Sequence, residues 1–180
     1  MVTPEADAVQ RMWQAYTQAT GSTDPLTGSF AFGDSPDMAD ELADLVLHGP
    51  KRATAGLVLE YERDATPVAR PGECSIVLDG RGEPVCVIRT TEVRIQPLNQ
   101  VDAAFAWDEG EGDRTLAWWQ AAHERYFRRQ CEGLGVEFRD DLPVVFERFE
   151  LVWPAQNSAA QNSAAQNSAA QNSAAQNSAS

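Results

Sequence analysis

Two segments in the first fifty residues repeat their apolar positions at helical spacing. The first runs from about residue 4 to residue 20, and its apolar face consists of Val9, Met12, Trp13 and Tyr16. The second has clear ends, since Ser35 is a good N-cap, Pro36 suits the first helical position and Gly49-Pro50 stops a helix. The pattern predicts two amphipathic helices, 4–20 and 36–48.

Residues 21–34 lie between these helices and are rich in Gly, Ser, Thr, Asp and Pro, a composition typical of a loop. Phe30 and Phe32 interrupt this composition. Aromatic side chains in a loop more often anchor it to the core than line a pocket.

The middle of the chain changes to short apolar runs that are typical of strands. We expect strands at 55–61, 74–78, 84–91 and 143–153, with 93–95 continuing the sheet after a bend. A short helix is predicted from about residue 100 to 107. A longer helix is predicted from Arg114 to about Cys131, capped by Asp113 and ended by Gly133 and Gly135.

This order of elements is not the strand–helix alternation of a doubly wound parallel sheet. Sequential strands with hairpin signals, such as the turn at residues 79–82, instead favour an antiparallel or mixed sheet. We therefore predict an α+β fold in which a small sheet is curled or closed into a barrel, with helices on its flank.

Composition divides the chain into two parts. Residues 155–180 repeat Ala, Gln, Asn and Ser and contain no charged, aromatic or large aliphatic side chain. Such a segment cannot bury enough apolar surface to offset the entropy of ordering it, so a disordered low-complexity tail is predicted there. The remaining residues, 1–154, are predicted to form one domain.

All of the charge lies in this domain, which carries 27 acidic and 14 basic residues and a net charge of −13. So acidic a body repels phosphate backbones, which disfavours RNA as a partner without excluding a nucleoside. Only Lys51-Arg52 and the cluster of Arg125, Arg128 and Arg129 could supply a local basic patch.

Cysteine usage and hydropathy indicate the compartment in which the protein is expected. The three cysteines, Cys74, Cys86 and Cys131, are odd in number and lack metal-ligand spacing, which favours a reduced, cytoplasmic protein with buried thiols. No run approaches the length of a membrane-spanning helix, so no membrane partner is expected.

Lys51 and Thr54 are the first candidates for chemistry, because both lie on the short junction between a helix end and a strand. A threonine hydroxyl becomes a nucleophile when a neighbouring base takes its proton, and a desolvated lysine can be that base. The alternative is structural. A cation just past a helix C-terminus is favoured by the helix dipole, and Lys51 or Arg52 could serve only that purpose.

The acidic turn, residues 108–113, is the second candidate. Its two glycines allow a sharp turn that presents carboxylates in several directions, and one of them could orient a lysine or bind an amine. The alternative is that Asp113 caps the next helix and the other acids are solvated. Metal binding is the weaker interpretation, because the spacing lacks the ligand order of a calcium loop.

The predicted long helix carries an aromatic face, with His123 among Trp119, Tyr126 and Phe127. A lone histidine on such a face is more often a core residue than a catalyst, so we assign it no catalytic role. The two histidines and three cysteines give no zinc pattern, and no metal or cofactor is predicted.

Several motifs follow one another along residues 30–153. They are Phe32-Gly33-Asp34-Ser35, Ala39-Asp40-Glu41-Leu42, Leu45-Val46-Leu47, the Gly49, Lys51 and Thr54 pattern G-x-K-x-x-T, residues 105–113 followed by Trp119 and His123, and residues 146–152. In this order they resemble the ASCH domain family, and most closely its bacterial stand-alone branch, which has the same G-x-K-x-x-T motif.

This resemblance implies a β-barrel related to the PUA RNA-binding fold. It also implies one of several activities: RNA binding, ribonuclease-linked roles, or hydrolysis of N-acetylated cytidine nucleosides by a threonine, lysine and glutamate set. Carried over by motif, the catalytic residues are Thr54, Lys51 and Glu109, with Glu111 as the competing glutamate.

We therefore expect amide hydrolysis on a small nucleoside-like substrate, with Glu111, Phe32, Arg52 and Tyr126 contacting that substrate. The competing classes are an RNA- or nucleotide-binding module, which the charge disfavours, and a non-catalytic ligand sensor with the same pocket.

Overall fold

The computed structural model describes residues 4–154. The tail predicted over 155–180 lies outside the described residues. The helices are α1 Pro4–Thr20, α2 Pro36–Leu47, α3 Val58–Arg63, α4 Ala103–Glu109 and α5 Leu116–Leu134, with a 3₁₀ turn at Leu98–Gln100. The strands are β1 Leu26–Ala31, β2 Ala53–Leu57, β3 Cys74–Leu78, β4 Pro84–Pro97 and β5 Pro143–Trp153.

The five strands form one mixed sheet in the order β1-β3-β4-β5-β2. Only the β1–β3 pair is parallel, and the other pairs are antiparallel. A register shift between Thr90 and Glu92 lets the long strand β4 bend, so that it pairs with β3 through its first half and with β5 along most of its length. The mixed sheet with flanking helices predicted from the sequence is confirmed.

Closure into a barrel is not observed among the described residues, because the two edge strands, β1 and β2, do not pair with each other. We call the space between them the seam. The arrangement fits a PUA-like fold with one open side.

Three apolar clusters hold the sheet to its helices. One packs α4 and α5 against β2 and β5, the second packs α2 against the centre of the sheet, and the third packs α1 against β3 and β4. The sheet therefore has helices against both of its faces and leaves the seam free for cavities.

Helices α1 and α2 and strands β3 and β5 lie where the sequence predicts them. Two predictions at the seam are wrong. Residues 26–31, predicted as loop, form β1 by pairing with the distant strand β3. The strand predicted over 55–61 ends at Leu57, where α3 begins, because the Glu60 carboxylate accepts a hydrogen bond from the Leu57 N–H at 3.0 Å.

Residues 93–95 continue the sheet after the bend in β4, as predicted. The start of the long helix differs from the prediction. Thr115, not Asp113, is the N-cap of α5, since the Thr115 hydroxyl accepts from the Trp118 N–H. Asp113 instead accepts hydrogen bonds from the N–H and hydroxyl of Thr115, one step further out.

Candidate functional site

The junction between α2 and β2 holds the only lysine of the sequence, Lys51. Pro50 prevents α2 from continuing, and the Lys51 N–H donates to the carbonyl oxygen of Leu45 at 3.2 Å. The N–H of Arg52 donates to the carbonyl oxygen of Asp108 at 2.7 Å, which ties the junction to α4. Lys51 is 1% exposed, so its ammonium group lies inside the protein.

The acidic turn begins within α4 and packs directly on this junction. Gly110 has a φ of 75°, and a Cβ there would lie 2.6 Å from the backbone nitrogen of Lys51. Gly112 has a φ of 54°, and a Cβ there would lie 2.1 Å from the ring of Trp118. Both positions need glycine, because they combine a left-handed backbone with a close approach. These glycines bring the carboxylates of the turn against the lysine.

Two carboxylates and one aromatic ring surround the lysine ammonium. Lys51 Nζ donates to Glu111 Oε1 at 2.5 Å and lies 4.0 Å from Glu109 Oε1. The centroid of the Phe32 ring is 5.1 Å from Nζ, within the range of a cation–π contact. The direct ion-pair partner of the lysine is therefore Glu111, while Glu109 is the more distant carboxylate.

Glu109 is 1% exposed, and only one of its two carboxylate oxygens lies close to a polar partner in the described part of the chain. Its Oε1 lies 3.3 Å from His123 Nε2, and its Oε2 has no hydrogen-bond partner among residues 4–154. His123 stacks on Trp119 with ring centroids 3.8 Å apart, and its Nδ1 lies 3.1 Å from the Trp119 carbonyl oxygen. His123 is thus largely buried, as expected of a core residue, yet it also contacts a candidate catalytic carboxylate.

A cavity of about 340 Å³ opens beside these groups, and we call it the first cavity. Thr54, Lys51, Glu109, Glu111 and His123 all line it. The Thr54 hydroxyl makes no hydrogen bond to any residue between 4 and 154, so it is free to meet a ligand. The structure therefore brings the three residues proposed for catalysis, and the competing glutamate, to one cavity.

The predicted substrate contacts separate into two groups. Phe32 and Tyr126 line the first cavity together with Glu111. Arg52 does not line it. Its guanidinium donates to the carbonyl oxygen of Val46 in the last turn of α2 at 3.1 Å and to that of Lys51 in the junction at 2.5 Å. The structural alternative considered for this junction therefore describes Arg52, and its predicted contact with substrate has no geometric support.

A second cavity, of about 470 Å³, lies along the seam and shares Phe32, Thr54 and Tyr126 with the first. Glu147 of β5 lines it and is 7% exposed. The Glu147 Oε1 accepts a hydrogen bond from the Thr90 hydroxyl at 2.6 Å. Burial raises the pKa of Glu147 above its ordinary value of 4.5, and the Thr90 hydrogen bond only partly offsets this rise.

Glu147 is not among the site residues predicted from the sequence, although the sequence contains a signal for it. Val145, Glu147 and Phe149 alternate along β5, and the two apolar residues are buried, so the glutamate occupies an inward position of a core strand. An acid at such a position needs a special environment or a function. Alternation along the strand could therefore have identified it.

Neither a metal cluster nor a membrane span is found in the part of the chain that the structure describes. Residues 4–154 contain no group of three or more His, Cys, Asp or Glu side chains that could hold a metal ion. None of their helices is both long enough and apolar enough to cross a bilayer.

The sequence profile of the ASCH domain matches residues 28–153, a span that includes the junction, the acidic turn and Glu147. The chain belongs to the ASCH domain family. Two crystal structures are similar to it in fold and sequence. The ASCH domain from Lactobacillus crispatus JV V101 shares 35% identity at a TM-score of 0.73, covering 81% of this chain and 94% of that one.

The second is a protein from Enterococcus faecalis V583, with 30% identity and a TM-score of 0.73 over 85% of this chain and 94% of that one. No curated protein matches the chain by sequence. The resemblance seen in the motifs is thus confirmed for the family and for the fold of this ASCH domain.

Proposed function

We propose that this ASCH domain hydrolyses an amide on a small nucleoside-like substrate of the N-acylated cytidine type. The observation that carries the proposal is the position of the sole lysine, buried and ion-paired with Glu111 in the same cavity as the free hydroxyl of Thr54. A buried lysine is costly unless it is paired, and here the pairing lies at a ligand-sized cavity rather than in a closed core.

The reaction divides into two steps. In the first, Lys51 passes a proton to Glu111 across their 2.5 Å contact, and the neutral amine takes the hydroxyl proton of Thr54 as Oγ1 attacks the acyl carbon. Lys51 then returns that proton to the leaving nitrogen, and the carbon–nitrogen bond breaks. In the second step, the neutral Lys51 takes a proton from the attacking water and gives it to Thr54 Oγ1 as the ester bond breaks, which releases the acid. Glu111 then returns its proton to Lys51, and the starting state is restored.

Glu109 has a supporting role in this proposal. Its unpartnered Oε2 is an acceptor at the buried end of the first cavity, and its Oε1 lies between His123 and Lys51. It can accept a hydrogen bond from the leaving amine. Glu111 is the residue that exchanges a proton with the lysine.

The distribution of arginines favours a small substrate over RNA. Most arginines are already paired with acids: Arg63, Arg81, Arg89, Arg94, Arg128, Arg129, Arg139 and Arg148. A phosphate binder normally presents unpaired basic side chains on one face. RNA binding is therefore the second candidate, and steep salt-dependent retention of RNA would support it.

The test is turnover of N-acetylcytidine by the wild type and by Thr54→Ala. We expect the variant to lose on the order of 10⁴-fold in kcat, as happens when a nucleophile is removed. Thr91→Ala is the matched control, because Thr91 is exposed on β4 and lines neither cavity. Equal rates for the wild type and Thr54→Ala, or no turnover by either, would contradict the proposal.

A further inference from the structure

The second cavity contains hydrogen-bonding groups that the proposed chemistry does not use. Thr54 and Glu147 are register partners on the antiparallel strands β2 and β5. Register partners project from the same face of a sheet with Cβ atoms about 5 Å apart. Glu147 is therefore the cross-strand neighbour of the proposed nucleophile, and it lines the second cavity, which Lys51 does not.

Several polar atoms in this cavity have no partner among residues 4–154. The hydroxyls of Thr54 and Ser75 make no hydrogen bond there, and no group donates to Glu147 Oε2. Ser75 and Glu147 are both buried polar residues. These atoms are not enclosed in the core but border the cavity, where a ligand or water can complete their hydrogen bonds.

The two cavities differ in charge. The first contains the ammonium of Lys51 and two carboxylates. The deep part of the second offers hydroxyls and one carboxyl. Burial raises the pKa of Tyr61 and of Tyr126, so both phenols stay neutral. Burial also favours the neutral acid form of Glu147. The deep part of the second cavity thus presents hydroxyls and one carboxyl whose neutral form is favoured by burial.

Aromatic rings form the walls of the second cavity. Phe30, Phe32, Tyr61 and Tyr126 all line it, and Phe30 and Phe32 contact each other edge to face at 4.9 Å between centroids. Such walls suit a flat ring, which can stack while its edge meets polar groups. Three acids, Asp34, Glu60 and Asp64, line the cavity against one arginine, Arg63, so the excess of acidic groups disfavours a phosphate on the same ligand.

We propose that the second cavity binds the uncharged heteroaromatic ring of a phosphate-free nucleoside or base, and that Glu147 donates a hydrogen bond to this ring from Oε2. The Thr90 hydroxyl determines which oxygen of Glu147 is the donor. It donates to Oε1, so the proton of the neutral acid lies on Oε2. This assignment rests on the proposed function for the position of the scissile amide at Thr54. Glu147 is a specificity-determining residue, and the carbon–nitrogen bond is cleaved in the first cavity.

Equilibrium binding of cytidine, measured by calorimetry, tests the assignment without requiring turnover. Glu147→Gln keeps a neutral acceptor and donor, so we expect binding within about threefold of the wild type. Glu147→Leu removes both groups, and we expect binding at least about tenfold weaker. Glu150→Gln is the control, because Glu150 lies on the same strand but lines neither cavity. Thermal unfolding of each variant checks that the fold is retained.

The pH dependence separates a neutral acid from a carboxylate. Wild-type affinity should fall as pH rises and Glu147 ionises, whereas the affinity of Glu147→Gln should fall less over about pH 5 to 9, because only the other groups at the cavity still titrate. The other titratable or charged groups at this cavity are Asp34, Glu60, Tyr61, Arg63, Asp64 and Tyr126. They are unchanged in the Gln variant, so the difference between the two profiles belongs to Glu147.

Three results would overturn the assignment: no cytidine binding by the wild type, equal binding by Glu147→Leu, or Glu147→Gln as weak as Glu147→Leu. Cytidine 5′-phosphate should bind more weakly than cytidine, and tighter binding would contradict the exclusion of phosphate. If cytidine binding depends on Glu147 while N-acetylcytidine is not turned over, the proposed hydrolysis fails and the binding site stands. If N-acetylcytidine is turned over equally by the wild type and by Glu147→Leu, the proposed hydrolysis stands and the assignment of Glu147 fails.

Discussion

Lys51 and its two glutamates show how one buried cation divides its contacts between two acids. Glu111 is in direct contact with the ammonium and is partly open to the cavity, whereas Glu109 is deeper and 4.0 Å away. A buried cation next to two carboxylates keeps one partner when the other is removed. The site can therefore lose one acid without leaving the lysine unpaired.

Glu111→Gln tests this division. We expect kcat to fall by about 10²-fold or more, because the glutamine cannot exchange a proton with Lys51. Stability should fall by only about 1–3 kcal/mol, since Glu109 still compensates the ammonium. Steady-state turnover and urea unfolding measure the two effects. Glu124→Gln is the control on an exposed helical pair, and a Glu111→Gln variant with full activity would exclude the proton exchange.

Glu147 makes stability depend on pH in a defined direction. Its pKa is raised in the folded protein, so the native state holds this proton more tightly than the unfolded chain does. The stabilisation is complete below the ordinary value of 4.5 and is lost as pH rises through the native pKa. We expect the stability of Glu147→Gln relative to the wild type to increase with pH across this window. Urea unfolding at several pH values measures it, and a constant difference would contradict the shift.

At the residue scale, the motif located Lys51 and Thr54 but not their roles. Spacing could not show that Lys51 is buried, because burial depends on the acidic turn 60 residues away. It also could not distinguish Lys51 from Arg52, which are neighbours with opposite orientations. Glu147 was missed because its partner, Thr54, is distant in sequence and adjacent only in the sheet register.

The acidic turn is the element that builds the site. It is held by the hydrogen bond from Arg52 to Asp108 and by the close approach of Gly110 to the junction. Only glycine fits at position 110, because any side chain there would collide with the backbone of the junction. The carboxylates can therefore be repositioned by a substitution that touches neither of them.

Gly110→Ala is the test of that view. The added Cβ would lie 2.6 Å from the Lys51 backbone nitrogen at a positive φ, so we expect a loss of about 1–3 kcal/mol in stability together with reduced turnover. Gly133→Ala is the matched control, because Gly133 is helical with nothing within 4 Å of its Cβ position. The control should gain up to about 1 kcal/mol. Equal behaviour of the two variants would disprove the role of the close approach.

Elements whose first and last residues are marked by their own sequence could be predicted. Elements that depend on pairing with a distant strand could not. Helix α2 has a cap, a proline and a glycine stop in its own sequence. Strand β1 is short and contains Gly, Ser and Thr, and it exists because β3 lies beside it. Helix α3 follows β2 without a loop, so the apolar run across both reads as a single strand.

At the scale of the whole molecule, the seam decides where ligands can bind. Residues of both edge strands line the second cavity, and Thr54 of β2 borders both cavities. A sheet closed by hydrogen bonds would fill this space with backbone. The sequence predicted the barrel-like sheet but could not predict its open side, because closure depends on whether two strands separated by a helix meet.

The single buried lysine also affects how this protein can be handled chemically. Lys51 carries the only side-chain amine in the sequence, and the fold encloses it. Reagents that acylate amines therefore reach it only when the acidic turn moves away from the junction. Acylation at residue 51, quantified by mass spectrometry, becomes a direct record of how often the pocket opens and of how far an occupant holds it shut.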